Sequence, residues 1–168
     1  MKALVYQGIG KFAVEERPIP QIQHSGDAII KLLRTTICGS DLHTMHGHIP
    51  SVPTGRIIGH EGVGIIDSVG TNVRGLKIGD KVLISCITVC DSCRFCNRAE
   101  SGLCTSTGGW TLGNSVDGTQ AEFVRIPHAE RSLYVVPEGI DERSLLLLSD
   151  ILVSISHYYT SQRLLLIH

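Results

Sequence analysis

The sequence has no excess of charge of either sign. Its 168 residues contain 15 lysines and arginines against 16 aspartates and glutamates, which gives a formal net charge of -1. Proteins that bind nucleic acid usually carry clustered basic charge, so we expect no nucleic-acid partner. The sequence also lacks a secretory signal and any apolar run near the roughly 18 residues that cross a membrane. These absences predict a cytoplasmic protein without a membrane partner.

Aromatic residues are few, at 5%, and charged residues reach only 18%, yet 42% of the residues are hydrophobic. A chain with this much apolar side chain is not expected to be disordered. Valine and isoleucine number 32 against 23 alanines and leucines, and there are 18 glycines, a composition typical of strands and turns. The composition therefore disfavours an all-helical fold.

Short β-type runs recur along the chain between glycines and prolines. They lie at residues 3–6, 12–15, 28–37, 63–69, 81–88, 121–126 and 133–136. Their spacing predicts a mainly β barrel or sandwich. Helix is predicted for residues 39–45 and for residues 142–152, where Asp141 would cap the first turn. The apolar tail after residue 150 indicates either a truncated or frame-shifted continuation or a small helix docked on the barrel.

Cysteine is the unusual residue type, because five of the six cysteines fall between residues 86 and 104. Four of them follow the spacing C-x2-C-x2-C-x7-C, namely Cys90, Cys93, Cys96 and Cys104. Four thiolates without a further ligand describe a closed, tetrahedral structural zinc site. An iron-sulfur centre is the alternative, although the bacterial ferredoxin run ends C-x3-C-P, which this one does not. Cys86, in an apolar run, is predicted to be a small core residue.

Two further motifs carry candidate metal ligands. One is C-G-S-D-L-H, beginning at Cys38, and the other is G-H-E-x2-G-x5-G-x2-V, beginning at Gly59. Alone, a cysteine after a β-type run is more often a core residue, and adjacent histidine and glutamate are more often a satisfied polar pair. Together with the cysteine cluster and a K-x-G-D-K-V turn at Lys77, however, these motifs resemble in order and spacing the medium-chain zinc-dependent alcohol dehydrogenases.

The resemblance covers residues 1–151 and implies their fold. It implies a mainly β catalytic domain, a chaperonin-10-like (GroES-like), partly open antiparallel barrel with short helices and a zinc-binding lobe at residues 86–108. Residues 152–168 are then a divergent or truncated tail. The family's Rossmann coenzyme domain is expected to be absent, so the cofactor-binding residues are unknown. The G-x-G-x-x-A match at Gly8 is no substitute, because a strand-like run and prolines follow it instead of a helix.

The resemblance also assigns a catalytic zinc. Its implied ligands are Cys38, His60 and Asp150, a set that leaves one tetrahedral position open for an alcohol oxygen. Glu61 matches the residue that sits behind the metal and can replace its water during ligand exchange. Trp110 matches a substrate-pocket wall in the secondary-alcohol branch; the alternative is a hydrophobic anchor for the loop after the zinc lobe.

Ser40 and His43 match the proton relay of the family. By that resemblance Ser40 takes the alcohol proton and His43 passes it to solvent, partly through the cofactor ribose. The two residues are three apart and would share one face of a helical turn. A helix cap and an exposed histidine are the alternative interpretation. His46 and His48 are predicted to be surface residues, since no motif assigns them a role.

These implications predict a zinc-dependent alcohol dehydrogenase. It would oxidise a small-molecule alcohol, of the secondary class, to a carbonyl with NAD or NADP, and would hold two zinc ions per chain. The alternative is a non-catalytic zinc-binding module or an inactive truncated fragment. Relatives in the family are dimers or tetramers, so a homo-oligomer is also expected.

Overall fold

Strands dominate the computed structural model, which describes residues 1–150 together with Leu152 and Ser156. The strands are Lys2–Tyr6 (β1), Phe12–Glu16 (β2), Ala28–Thr35 (β3), Gly62–Val69 (β4), Lys81–Ile84 (β5), Phe123–Ile126 (β6) and Leu133–Val135 (β7). The short helices are Gly39–Met45 (α1), Ala129–Ser132 (α2) and Glu142–Leu146 (α3). Two 3-10 turns, Cys96–Arg98 and Ser101–Leu103, lie in the cysteine-rich segment. In this part of the chain, no helix is long and apolar enough to cross a membrane.

The strands form two antiparallel sheets. Strands β1 and β2 make a two-stranded hairpin, and the other five pair in the order β6-β3-β4-β5-β7. The hairpin is attached to the rest by backbone hydrogen bonds, including one of 2.8 Å from Leu4 N to the carbonyl of Gln120. The mostly antiparallel, partly open architecture with short helices confirms the predicted mainly β, GroES-like fold class.

The pairing around β4 brings three strand ends together. Gly62, the first residue of β4, pairs with Thr35 at the end of β3 and with Ile84 at the end of β5. Because neighbouring strands are antiparallel, the segments that follow β3 and β5 emerge beside the segment that precedes β4. The chain therefore delivers residues 36–41, 58–61 and 85–86 to one edge of the sheet.

The main hydrophobic core lies against the five-stranded sheet. Its buried members are Ala28, Ile30, Ile66, Val82, Ile84, Leu112, Val124, Ile126, Ala129 and Leu133. Alternate residues of β3, β5 and β6 appear in this set, as expected when one face of each strand turns inward. A smaller buried cluster of Ala3, Val5 and Ile57 packs β1 against the segment before β4. The core supports the sheet edge without contributing to its chemistry.

The seven predicted strands and the two predicted helices all appear in the structure, with differences at their ends. The predicted strands 28–37 and 81–88 stop at Thr35 and Ile84. Both strands pair with β4, and β4 begins at Gly62, so residues beyond these ends have no strand to pair with there. Helix α3 begins as predicted, with the Asp141 carboxylate accepting a 3.0 Å hydrogen bond from Ser144 N, but its regular part ends at Leu146. Helix α2 was not predicted. The predicted tail, 152–168, lies outside the described residues except for Leu152 and Ser156.

Substitution at Gly64 tests the close packing of the central strands. A Cβ at this position would lie 2.4 Å from Ile30 Cγ2 and 2.5 Å from the carbonyl oxygen of Lys31. Because such contacts force the backbone apart, we expect Gly64→Ala to lower the free energy of unfolding by about 1–3 kcal/mol. Urea unfolding measures this as a lower midpoint at unchanged slope.

Gly26→Ala is the matched control, because nothing lies within 4 Å of its Cβ position. It is expected to leave the midpoint unchanged or to raise it slightly. Equal destabilisation by the two substitutions would contradict the packing argument.

Candidate metal centres

Four candidate ligands meet at the sheet edge where β3, β4 and β5 converge. One ligand atom from each of Cys38, His60, Glu61 and Asp150 lies within 4.8 Å of all the others. Cys38 follows β3 and caps α1, whereas His60 and Glu61 directly precede β4. Asp150 arrives from the segment after α3, which is held by a 3.3 Å hydrogen bond from Cys86 N to the carbonyl of Ser149. Residues 112 positions apart in sequence thus form one cluster.

The cluster is compact and largely buried. His60 Nε2 lies 3.3 Å from Asp150 Oδ2 and 3.8 Å from Glu61 Oε1. His60 and Glu61 are 5% and 1% exposed. Burial raises the pKa of Glu61; the charge of His60 opposes this shift and that of Asp150 adds to it. A bound cation would relieve the repulsion between the two carboxylates.

Several buried polar atoms at this site make no hydrogen bond within the described residues. They are His60 Nδ1, Glu61 Oε1 and Ser40 Oγ. Buried polar atoms are normally satisfied, so three unsatisfied ones together are typical of a site built for another group. Thiolate, imidazole and carboxylate are also the ligand types that zinc prefers. The donor set therefore fits a zinc ion held by Cys38, His60 Nε2 and Asp150, with the unsatisfied Glu61 Oε1 and Ser40 Oγ beside it.

Asp41 braces the cysteine ligand, and its role was missed in the sequence. Its carboxylate Oδ2 accepts hydrogen bonds from Cys38 N at 2.9 Å and from Gln120 Nε2 at 2.8 Å. Burial raises the pKa of Asp41, and the hydrogen bond from Cys38 N and the charge of His60 lower it. The pattern C-x-x-D before a helix is a form of capping box and could have identified this residue.

Cys86 was predicted to be a core residue, but it lies at the edge of the site formed by Cys38, His60, Glu61 and Asp150. It is half-buried and lines a cavity of about 190 Å³ together with Cys38, Ser40, His60, Ile87, Trp110 and Asp150. The prediction differs from the structure because β5 ends at Ile84, so Cys86 leaves the sheet and turns toward Asp150. Burial, followed by the charges of Asp150 and Glu61, raises the pKa of Cys86 to about 12. Cys86 is therefore a neutral thiol at physiological pH.

Ser40 and Trp110 both face the same cavity as the candidate ligands. The Trp110 ring centre lies 6.0 Å from that of His60, in an edge-on arrangement with an interplanar angle of 78°. Trp110 Nε1 is buried and makes no hydrogen bond within the described residues. The indole thus forms a wall of the cavity, which is the position expected of a residue that limits the size of a bound molecule.

His43 lies on the exposed side of α1, where its closest recorded partner is another histidine. Its Nδ1 is 3.3 Å from Nδ1 of His48. Ser40 and His43 belong to the same helical turn, as predicted, but Ser40 Oγ makes no direct hydrogen bond to a described residue. A proton path between them would therefore need a bridging hydroxyl or water molecule.

The four-cysteine segment forms a separate cluster. The Sγ atoms of Cys93 and Cys96 are 3.5 Å apart, those of Cys90 and Cys104 are 3.5 Å apart, and those of Cys90 and Cys96 are 4.0 Å apart. Four sulfurs bound tetrahedrally at about 2.3 Å from one zinc would stand roughly 3.8 Å from each other. The separations are thus those of a tetrathiolate around a single ion.

The thiol ionisation in this cluster also favours a cation. Hydrogen bonds from the backbone N–H groups of Cys96 and Thr105 lower the pKa of Cys93 to about 5. Burial and the neighbouring Cys93 sulfur raise the pKa of Cys96 to about 12. The sulfurs cannot all be thiolates at neutral pH unless a positive ion balances them. A closed zinc site at Cys90, Cys93, Cys96 and Cys104 satisfies this requirement.

Comparison with known proteins finds many sequences similar to this chain. The model of the alcohol dehydrogenase GroES-like domain matches residues 24–138. Zinc-type alcohol dehydrogenase B of Aspergillus flavus is 42% identical over 151 residues, which is 90% of this chain and 35% of that protein. The chain thus spans about a third of the length of this relative.

Solved structures show the same fold. The apo form of zinc dependent alcohol dehydrogenase 2 from Streptococcus pneumonia superposes with a TM-score of 0.84 at 41% identity, covering 88% of this chain and 42% of that one. A putative zinc-binding dehydrogenase from Sinorhizobium meliloti, bound to NADP, superposes with a TM-score of 0.75 at 28% identity, covering 87% of this chain and 41% of that one.

Replacement of a lobe cysteine should remove one metal ion selectively. We expect Cys93→Ala to lose the zinc of the four-cysteine cluster and to retain the zinc at Cys38, because the two clusters share no residue. Metal analysis of the purified protein measures the loss of one equivalent. Ser106→Ala, an exposed position in the same loop, is the control and should keep the full complement. Equal zinc content in Cys93→Ala and the control would contradict this assignment.

Removal of the Asp41 brace should weaken metal binding at Cys38. We expect Asp41→Ala to reduce zinc affinity about 10–100-fold, because groups that orient a metal ligand typically contribute this much. Competition with a chromophoric chelator in a Cys93→Ala background isolates the relevant site. Asp41→Asn keeps an acceptor oxygen and should recover part of the affinity, while the exposed Asp67→Ala should change nothing. Unchanged affinity in Asp41→Ala would refute the bracing role.

Proposed function

The chain belongs to the alcohol dehydrogenase GroES-like domain family, and from that premise we propose that it is the catalytic domain of a zinc-dependent dehydrogenase that oxidises a secondary alcohol to a carbonyl with NAD or NADP. The observation that carries the proposal is the meeting of Cys38, His60 and Asp150 beside an unsatisfied Ser40 hydroxyl. The metal ligands and a proton acceptor thus border one cavity of about 190 Å³.

Each residue has a distinct part in the proposed reaction. Cys38, His60 and Asp150 would hold a zinc ion, which would supply a Lewis acid for the alcohol oxygen. Ser40 Oγ accepts the alcohol proton, and His43, which is exposed on the same helix, delivers a proton to solvent. A bound nicotinamide coenzyme supplies the hydride acceptor. Trp110 limits the space beside the reacting carbon.

Glu61 is proposed as the residue behind the metal. Its Oε1 lies 3.8 Å from His60 Nε2, and its other oxygen lies 3.3 Å from Ser149 Oγ. By the family resemblance, a carboxylate in this position would be available as a transient ligand of the zinc ion that Cys38, His60 and Asp150 would hold.

The proposed domain organisation, metal content, location and assembly follow from the same family membership. We assign residues 1–151 to the catalytic domain and residues 86–108 to its structural zinc lobe, with two zinc ions per chain. We further propose that the protein acts in the cytoplasm on a small-molecule alcohol or carbonyl and forms a homo-oligomer. The nearly balanced charge, 15 basic against 16 acidic residues, supports a small-molecule substrate over a polyanionic partner.

Cobalt substitution tests whether the Cys38 site has an open coordination position. Zinc is spectroscopically silent, whereas the visible absorption of Co²⁺ changes when a ligand is exchanged. With cobalt supplied only to the tightly binding sites and excess metal dialysed away, we expect imidazole to shift the spectrum of the wild type and of Cys93→Ala, but not that of Cys38→Ala. An unresponsive wild-type spectrum would indicate two closed sites and would favour the non-catalytic zinc-binding module.

The proton relay predicts a specific kinetic defect. Ser40→Ala should lower kcat for oxidation of a secondary alcohol about 10²–10⁴-fold while leaving the zinc content unchanged. The appearance of reduced nicotinamide measures the rate. Ser51→Ala, which removes an exposed hydroxyl outside the cavity, should retain wild-type turnover. Zinc binding without any NAD or NADP binding in equilibrium dialysis would instead support the non-catalytic module.

A further inference from the structure

Three exposed histidines form a cluster outside the two sites described above. His43, His46 and His48 surround the end of α1 and the turn that follows it. The ring centres of His43 and His48 are 5.6 Å apart, and those of His46 and His48 are 5.7 Å apart. Imidazole is a common ligand of zinc and other transition metals, and neither cysteine nor carboxylate is needed for binding.

The separation of the closest pair fits two ligands of one metal ion. His43 Nδ1 and His48 Nδ1 face one another at 3.3 Å. Two nitrogens bound at about 2.0–2.1 Å to a tetrahedral zinc would stand roughly 3.3–3.4 Å apart. The same separation also fits a hydrogen bond between the two rings, so the geometry is compatible with either a proton or an ion between the two nitrogens.

The backbone holds this pair in place. His48 N donates a 2.9 Å hydrogen bond to the carbonyl of His43, and His46 N donates a 3.0 Å bond to the carbonyl of Leu42. Gly47 supplies the tight turn between them with φ of +74°, and Ile9 packs where its Cβ would be. The backbone that carries the two imidazole rings is therefore fixed, which reduces the entropy lost when the rings bind an ion.

We propose that His43, His46 and His48 form a third, solvent-exposed zinc site. The Nδ1 atoms of His43 and His48 provide two ligands, rotation of the exposed His46 ring provides a third, and water completes the tetrahedron. One consequence rests on the proposed function: zinc at His43 Nδ1 occupies a nitrogen of the relay imidazole and slows proton release. Free zinc would then act as an inhibitor of the dehydrogenase.

Zinc uptake tests this site without recourse to activity. Zinc-replete protein is dialysed against increasing free Zn²⁺, and bound metal is measured. The wild type should take up one equivalent beyond the two tight ones. His48→Gln should bind the extra ion at least about 10-fold more weakly, since losing a ligand should cost no less than losing a group that orients one. His24→Gln, which removes an exposed histidine elsewhere, should match the wild type.

Long-range ¹H–¹⁵N NMR of the histidine rings provides a second readout. Added Zn²⁺ should move the Nδ1 resonances of His43 and His48 in the wild type and leave that of His24 unchanged. This measurement decides the matter even if His48→Gln fails to fold. The proposal is overturned if the wild type takes up no extra zinc, or if the wild type and His48→Gln take up equal amounts. It is also overturned if the two rings still share a proton in excess zinc.

The outcomes also separate this site from the proposed dehydrogenase function. If the third site is wrong, zinc uptake stops at two equivalents while turnover and its dependence on Ser40 are unaffected. If the dehydrogenase proposal is wrong, the extra equivalent still binds and still depends on His48, although no turnover is observed.

Discussion

The pairing of Gly62 with two strand ends is the constraint on which the candidate catalytic centre depends. Thr35 and Ile84 both lie opposite this residue, so the chain leaves β3 and β5 at the point where it enters β4. A shift of one residue in either ladder would turn the following side chains to the opposite face. The register of a hydrophobic sheet thus decides whether Cys38 meets His60.

Burial determines the electrostatic properties of the site where Cys38, His60, Glu61 and Asp150 meet. Glu61 is 1% exposed, and its burial and the nearby charge of Asp150 raise its pKa, so its ionisation is unfavourable without a cation. Asp41 contributes differently, because its carboxylate is satisfied by backbone and amide donors and serves to hold Cys38. Two buried acids only twenty residues apart thus differ in their surroundings, because Glu61 Oε1 has no hydrogen-bond partner among the described residues whereas Asp41 Oδ2 has two.

The two candidate zinc sites differ in how far apart their ligands lie in the sequence. The four lobe cysteines fall within 15 residues, and short 3-10 turns and backbone N–H groups are sufficient to bring them together. This site could be predicted from spacing alone because the loop that closes it is short. The Cys38 site requires contacts between residues more than a hundred positions apart, and only the resemblance to a known family suggested Asp150 beforehand.

The sequence by itself determined the mainly β fold class, the positions of the strands and of α1, and the local cysteine site, because all of these follow from periodicity and short spacing. Only the tertiary structure decided that Cys86 borders the cavity, that Asp41 and Gln120 hold Cys38 in place, and that His43 faces His48. These contacts depend on strand register, on where each strand runs out of partner and on the direction of side chains after a turn. Such features arise from packing between distant segments and leave no periodic pattern in the chain.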